Sequence, residues 1–396
     1  MDEEELAHYA EVLLSMKEYE SYVWREGFRK KQHLKRLSEK HARRLPAFTA
    51  KDSIPATLRC AKKNQEFWDQ VCAMQSNFGP EVDLPTHVNL KEPMKTPYRH
   101  YSKLKSTFHQ LVRDWAVEGA EERERCYKPI LDELKRVLPV SEDNRNLQKV
   151  LVPGAGLGRL ALEIVSAGYA AQGNEFSYQM LFTSNFILNC ARQPDAYTVH
   201  PWIDNPSNVM TFDDFARPVT IPDVAPDSLL ALTATPSGAE PNFSMCAGEF
   251  LEVYSQERDA WDCIVTCFFI DAAPNVIEFI EAFERLLKPG GVWINLGPLL
   301  YHWQNGSGAE DDRYDQSIEL TYEEIKHVAE GYNLNFTKEE RKECLYTCNP
   351  TSMLRSVYNC IMFTAIKGTP LESYPASATK PAPGIETTKD QSTRRS

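Results

Sequence analysis

The sequence predicts an α/β fold, a mostly parallel sheet preceded by a helical region. Three observations carry this. A short β-branched run, Lys149-Val150-Leu151-Val152, feeds three glycines at spacing two (Gly154, Gly156, Gly158) and then an apolar helical pattern through Leu160, Ala161, Leu162 and Ile164. That reads as strand, tight turn and helix, where glycine accepts positive φ and lets backbone N–H groups approach a ligand at a helix N-terminus. A second apolar run ends in Glu175, about 20 residues on, where α/β nucleotide folds hold a ribose diol. Finally, strand and helix patterns alternate from Lys149 to Ala365, as a parallel sheet requires.

The elements follow in order. Residues 5–75 carry helical periodicity through Leu6, Tyr9, Val12, Leu13 and Met16, then Tyr22, Trp24 and Phe28, and later Leu58, Phe67, Trp68 and Val71. The basic stretch 29–36 is either an RNA-binding face or, better supported by the packed aromatics before it, a solvated helix face. Residues 80–97 form a proline-punctuated connector. Helical signals resume around Leu104 to Trp115, and a second helix runs from about Glu121 to Leu138, stopped by Pro139. Residues 212–244 are expected to be a proline-rich loop that covers or borders the site. Phe283 to Leu287 end an amphipathic helix, Lys288-Pro289-Gly290-Gly291 turn the chain, and Val292 to Asn295 begin a strand. The predicted division is a helical region over 1–145, an α/β domain over 146–366 and a disordered Pro/Ser/Thr/Lys tail over 367–396.

Composition excludes several classes. The formal net charge is -12 and no basic tract of five residues exists, so no nucleic-acid partner is expected. No run of 18 apolar residues marks a membrane span, and the acidic start Asp2-Glu3-Glu4-Glu5 is unlike a signal peptide. Ten cysteines lack a disulfide framework and fit a reducing cytoplasm. The pairs Cys263/Cys267 and Cys344/Cys348 share a four-residue offset, but Cys263 and Cys267 lie within an apolar strand rather than a tight loop. They are read as packing residues, and no metal site is expected.

The Gly-x-Gly-x-Gly turn and the acid at Glu175 would fit a dinucleotide site equally well. Together with the downstream Leu-Lys-Pro-Gly-Gly turn, they resemble the class I S-adenosylmethionine (SAM)-dependent methyltransferases, whose Rossmann-like sheet has seven strands. More specific segments are 104–107, 112–115, 151–160, 172–175, 242–245, 267–271 and 295–302. In order, they resemble the carnosine N-methyltransferase family over residues 102–363.

The resemblance implies methyl transfer from SAM to the imidazole of β-alanyl-histidine, giving anserine and S-adenosylhomocysteine. It implies cofactor contacts at Gln110, Arg113, Gly154, Gly156, Glu175, Glu249, Phe250 and Cys267. Most class I enzymes place an acid two residues before the first glycine to meet the methionine ammonium; this chain has Val152 there. Gln110 and Arg113, three apart on one helical face, are implied to supply polar contacts instead. Arg113 is suited to fork onto the SAM carboxylate. Glu175 should accept from both ribose hydroxyls, Glu249 from the adenine amino group, and Phe250 should cover an adenine face. Acceptor contacts are implied at Asp271, His302 and Tyr358, with Asp271 fixing the imidazole tautomer. The family has a further tyrosine where this chain has Ser356. A homodimer and a cytoplasmic location, with the nucleus as a second compartment, are also implied. Two other readings stay open: methylation of histidine in other dipeptides, peptides or proteins, and a SAM-binding module without catalysis.

Overall fold

The computed structural model describes residues 2–46, 49, 52–85, 88–90, 92–231, 241–306 and 312–369. The expected disordered tail lies outside the described residues beyond 369, as does part of the 212–244 segment. Helices α1 (Glu3–Lys17), α2 (Tyr19–Lys35) and α3 (Ser53–Phe78) form the N-terminal layer with α4 (Tyr98–Trp115). Their apolar stripes meet in an aromatic core: Trp68 lies 4.7 Å from Phe108, and Tyr22 stacks on Tyr101 at 4.6 Å. The charged residues Arg29, Lys30, Lys31, Lys35 and Arg36 stay exposed, as the amphipathic pattern foretells, but Leu6 and Phe28, expected on the packed stripe, are exposed as well.

Helix α5 (Ala120–Val137) leads into the sheet. Strands β1 (Lys149–Pro153), β2 (Ala170–Glu175), β5 (Phe243–Ala247), β6 (Trp261–Cys267), β7 (Leu287–Gly297), β8 (Leu334–Leu345) and β9 (Val357–Lys367) pair in the order β5-β2-β1-β6-β7-β9-β8. All neighbours are parallel except β9, which runs antiparallel to both β7 and β8. The direction of the chain around β1 reverses between β2 and β6, so the crevice at the carboxyl end of β1 is the topological switch point.

Helices α6 (Arg159–Ser166), α7 (Tyr178–Cys190), α8 (Val276–Leu286) and α9 (Tyr322–Gly331) complete the α/β layers. Alternation along β1 sends Val150 and Val152 to one face, with Ile130, Leu134 and Met362, and Leu151 to the other, with Phe283, Trp293 and Phe363. Cys263 packs on the first face and is fully buried, as a packing cysteine should be. Ring contacts such as Tyr9 to Phe182, at 5.0 Å, join the helical layer to α7 in a single apolar cluster.

The 212–244 segment differs from the expected loop. Its described part holds a short helix (Phe212–Ala216), a strand β4 (Val219–Ile221) paired with β3 (Tyr197–Val199), and a further helix (Pro226–Ala231). Its end is β5, the edge strand of the main sheet. The prolines misled because they lie between these short elements: Pro218 before β4, Pro222 after it, and Pro226 at a helix start, where a missing N–H costs nothing.

Candidate active site

The glycine turn after β1 has the backbone that glycine permits: φ is +67° at Gly154, +56° at Gly156 and +81° at Gly158. A Cβ on Gly154 would run into the Phe269 ring, whereas one on Gly156 would meet nothing within 4 Å. Gly154 therefore allows close packing, and Gly156 presents bare backbone to open space. Gly156 N–H donates to Glu175 Oε2 at 2.9 Å, so the turn and the acid at the end of β2 orient each other. Glu175 Oε1 accepts from Phe176 N–H (2.9 Å) and Ser177 N–H (2.8 Å). Burial raises the Glu175 pKa, and these three N–H groups pull it back. Three of about four acceptor positions are thus taken, so a ribose diol would have to share them with the turn.

On β5's side, Glu249 caps the short helix Phe250–Val253, accepting from Glu252 N–H at 2.9 Å. Phe250 departs from the expected adenine cover. It is 3% exposed and packs among Phe269, Phe279 and Phe283, because the helical turn begun at Glu249 aims it at the core. The aromatic face presented at this end is Phe176, directly after Glu175 and 55% exposed.

Helix α4 reaches the same edge of the sheet. Trp115 Nε1–H donates to Leu157 O in the glycine turn at 3.2 Å, and Arg159 Nη1 donates to Asp114 O at 2.9 Å. This fastening delivers Gln110 and Arg113 to the end of β6. Arg113, 8% exposed, pairs through Nε with Glu122 Oε1 at 3.0 Å. Its Nη1 and Nη2 make only long contacts, to Gln110 Oε1 at 3.3 Å and Cys267 Sγ at 3.8 Å. Rings of Tyr127, Phe268 and Tyr346 surround its guanidinium carbon at 5.1, 5.5 and 5.0 Å. Gln110 donates to Tyr346 Oη at 2.7 Å. Burial pushes the Cys267 thiol up to about 12, so it sits there as a neutral group.

The residues expected on the acceptor side follow β6 and β7. Asp271, 2% exposed in a 3-10 turn, accepts Leu300 N–H on Oδ2 at 2.9 Å. Its backbone oxygen accepts His302 N–H at 3.0 Å, which ties the chain beyond β7 to the Asp271 turn. Burial raises the Asp271 pKa, opposed by the Leu300 N–H and by nearby His302. His302 itself is exposed. Tyr358, at the start of β9, meets Phe268 edge-on at 6.0 Å and Tyr346 at 6.5 Å. Because β8 runs in the direction of β7 and β9 runs against both, Tyr346 and Tyr358 arrive at the edge that carries Asp271.

The sheet thus gathers every expected site residue except Phe250 along one edge. Sequence reasoning missed Phe176, Glu122, Tyr127, Phe268 and Tyr346. One trace was available for Phe176, an aromatic directly following the acid that ends β2; the others belong to elements that meet only in the folded chain. Among the described residues, no cluster of three His, Cys, Asp or Glu could hold a metal ion, and no helix is long and apolar enough to cross a membrane.

A seven-stranded sheet with one antiparallel strand, a glycine turn at its switch point and an acid ending β2 define a class I SAM-dependent methyltransferase. A family model described as carnosine N-methyltransferase matches residues 90–369. The chain is 41% identical over 371 residues to the carnosine N-methyltransferase of Mus musculus, covering 92% of this chain and 88% of that protein. It is 37% identical over 379 residues to the Dictyostelium discoideum protein of that name, covering 92% and 78%. With the Schizosaccharomyces pombe protein of that name it shares 36% over 369 residues, covering 90% and 95%. This chain belongs to the carnosine N-methyltransferase family.

Proposed function

We propose that this protein transfers a methyl group from SAM to an imidazole nitrogen of carnosine, giving anserine. The observation that carries the reading is the family match over most of the chain, with Asp271, His302 and Tyr358 at one edge of the sheet. The residues present fit the cofactor: open space at Gly156, an oriented acid at Glu175, and a buried cation at Arg113 whose Nη groups make only long contacts. Gly154, Gly156, Glu175 and Glu249 would hold the nucleoside end, and Gln110, Arg113 and Cys267 the amino-acid end. When bound, SAM supplies an electrophilic methyl group.

The protein's task is then orientation. An imidazole with a pKa near ~6.5 is mostly neutral at cytosolic pH, so its lone pair needs no strong base. A carboxylate accepting the proton on one ring nitrogen leaves the lone pair on the other. Asp271 is suited to this because Leu300 N–H holds its Oδ2 in place at the end of β6. His302 and Tyr358 would bound the acceptor, and burial around Cys267 and Phe268 would keep water away. Holding two reactants in line can supply several kcal/mol of barrier reduction, on the order of 7–11 in the best cases.

A second acceptor class, histidine in a longer peptide, draws support from one feature. Ser356 stands where the family has a tyrosine, and Met353 and Leu354 beside it are each 61% exposed. Mass spectrometry of purified protein with SAM and either carnosine or histidine-containing peptides tests both. A one-methyl gain on carnosine is expected. A gain on peptides alone would replace the dipeptide reading, and SAM binding with no transfer to any acceptor would mean a binding module.

We also propose a homodimer in the cytoplasm, with the nucleus as a second compartment. The ten free cysteines support a reducing location. Light scattering that gives a monomer mass, or cell fractionation that places the protein in an oxidising compartment, would remove these proposals.

A further inference from the structure

Glu122 lies in the first turn of α5, where an acid suits the helix dipole, yet it is 4% exposed. A buried carboxylate has to be paired and hydrogen-bonded to persist. Oε1 stands 3.0 Å from Arg113 Nε and accepts Thr347 N–H at 2.9 Å, while Oε2 accepts Cys348 N–H at 3.3 Å. One carboxylate thus holds α4 and the turn between β8 and β9. Burial raises its pKa, and Arg113 and the two N–H groups oppose the rise.

Thr347 needs that hold. It is β-branched and sits at φ +48°, in the left-handed region, where such a side chain crowds the backbone. A residue stays in that region when its surroundings over-determine it. At the far end of the turn, Cys348 Sγ donates to Ser356 O at 3.2 Å, two residues before Tyr358.

The residue entering this turn is Tyr346. Its ring stacks on Phe268 at 4.7 Å and lies 5.0 Å from the Arg113 guanidinium carbon. Its Oη accepts from Gln110 at 2.7 Å, and Tyr358 meets it edge-on at 6.5 Å. Tyr346 therefore stands between the residues proposed for the amino-acid end of the cofactor and one proposed for the acceptor. A shift of the turn would move Tyr346 against both, and a misplacement of about 1 Å can cost on the order of 100-fold in rate.

We propose that Glu122 is a positioning residue for methyl transfer: it clamps the 347–348 turn to Arg113, which sets Tyr346 between cofactor and acceptor. The proposal rests on the reading of Arg113 as a cofactor contact and of Tyr358 as an acceptor contact.

The test uses the full chain and begins with wild-type turnover on carnosine; its absence overturns the functional reading and this proposal with it. Given that turnover, Glu122→Asp keeps the charge beside Arg113 but falls one methylene short of the turn. The kcat on carnosine should fall about tenfold or more, while the SAM Kd read by calorimetry stays near its wild-type value. Thr347→Gly in that background should recover part of kcat, because glycine holds a left-handed φ without help from the carboxylate. If the Glu122→Asp protein does not fold, Glu122→Gln carries the same comparison, since its amide sets an N–H donor against the N–H groups of the turn. An unchanged kcat, a loss of SAM affinity that matches the loss of turnover, no recovery from Thr347→Gly, or failure of both Glu122 variants to fold would overturn the positioning role and leave the methyltransferase reading in place.

Discussion

Asp271 and Arg113 are both almost fully buried, yet their surroundings prepare them differently. Asp271 has one oxygen fixed by Leu300 N–H and a pKa raised by burial, so its carboxylate gains from a ligand N–H. Asp271→Asn keeps the shape but removes the charge. Turnover on carnosine should fall by roughly 100-fold or more while SAM binding persists, the split expected when a group acts on the acceptor alone. Steady-state kinetics with calorimetry reads both, and near-normal turnover would displace Asp271 from the site. Arg113, by contrast, holds a buried carboxylate, Glu122, as well as standing at the proposed cofactor site. Arg113→Met strands Glu122, whose remaining support is Thr347 N–H at 2.9 Å and Cys348 N–H at 3.3 Å. The expected cost is about 3 kcal/mol of stability in urea unfolding, with weakened SAM binding. The double variant Arg113→Met/Glu122→Gln should regain stability but not SAM affinity; recovery of both would make Arg113 purely structural.

Among the elements, the glycine turn separates packing from backbone freedom. Alanine at a left-handed position costs roughly 1–2 kcal/mol, which applies to Gly154 and Gly156 alike. Only at Gly154 does the new methyl also meet the Phe269 ring. Gly154→Ala should therefore lower the thermal midpoint more than Gly156→Ala. Similar midpoints for the two variants would mean that Phe269 yields freely. This strand, turn and helix were legible because their determinants are local: β-branched residues, glycines and an apolar helical period within one short stretch. The end of the 212–244 segment was not legible, because β5 is a strand only by virtue of pairing with β2.

Over the full width of the molecule, Glu133 joins α5 to the far edge of the sheet. It accepts from Arg136 Nη2 at 2.6 Å, Lys338 Nζ at 2.9 Å and Thr364 Oγ1 at 2.6 Å. These partners, Arg136 first, hold its pKa down at about 2 from an ordinary 4.5. A depressed carboxylate stabilises the fold above its unfolded pKa and loses that contribution as pH falls through the folded value. Glu133→Gln should accordingly cost about 2 kcal/mol at pH 7, a figure discounted because Arg136 is half-exposed, and the gap from wild type should close between about pH 4.5 and pH 2. Urea unfolding at pH 7 and pH 3 reads this; a gap independent of pH would mean that shape rather than charge carries the effect.

Local pattern alone was enough to specify the α/β class, the helical layer, the glycine turn and the acid at Glu175, since each depends on periodicity or on backbone demands met within a few residues. The chain's segments that resemble the family also marked Asp271 and His302. Which side chains share the site, however, was set by folding in three dimensions. Trp115 and Arg159 fasten α4 to the glycine turn, so Arg113 reaches Cys267 across a long separation in sequence. The antiparallel insertion of β9 brings Tyr346 and Tyr358 to the edge shared with Asp271. Phe250 illustrates the converse: an exposed aromatic and a core aromatic look alike in sequence, and only the packing of Phe269, Phe279 and Phe283 shows which one it is.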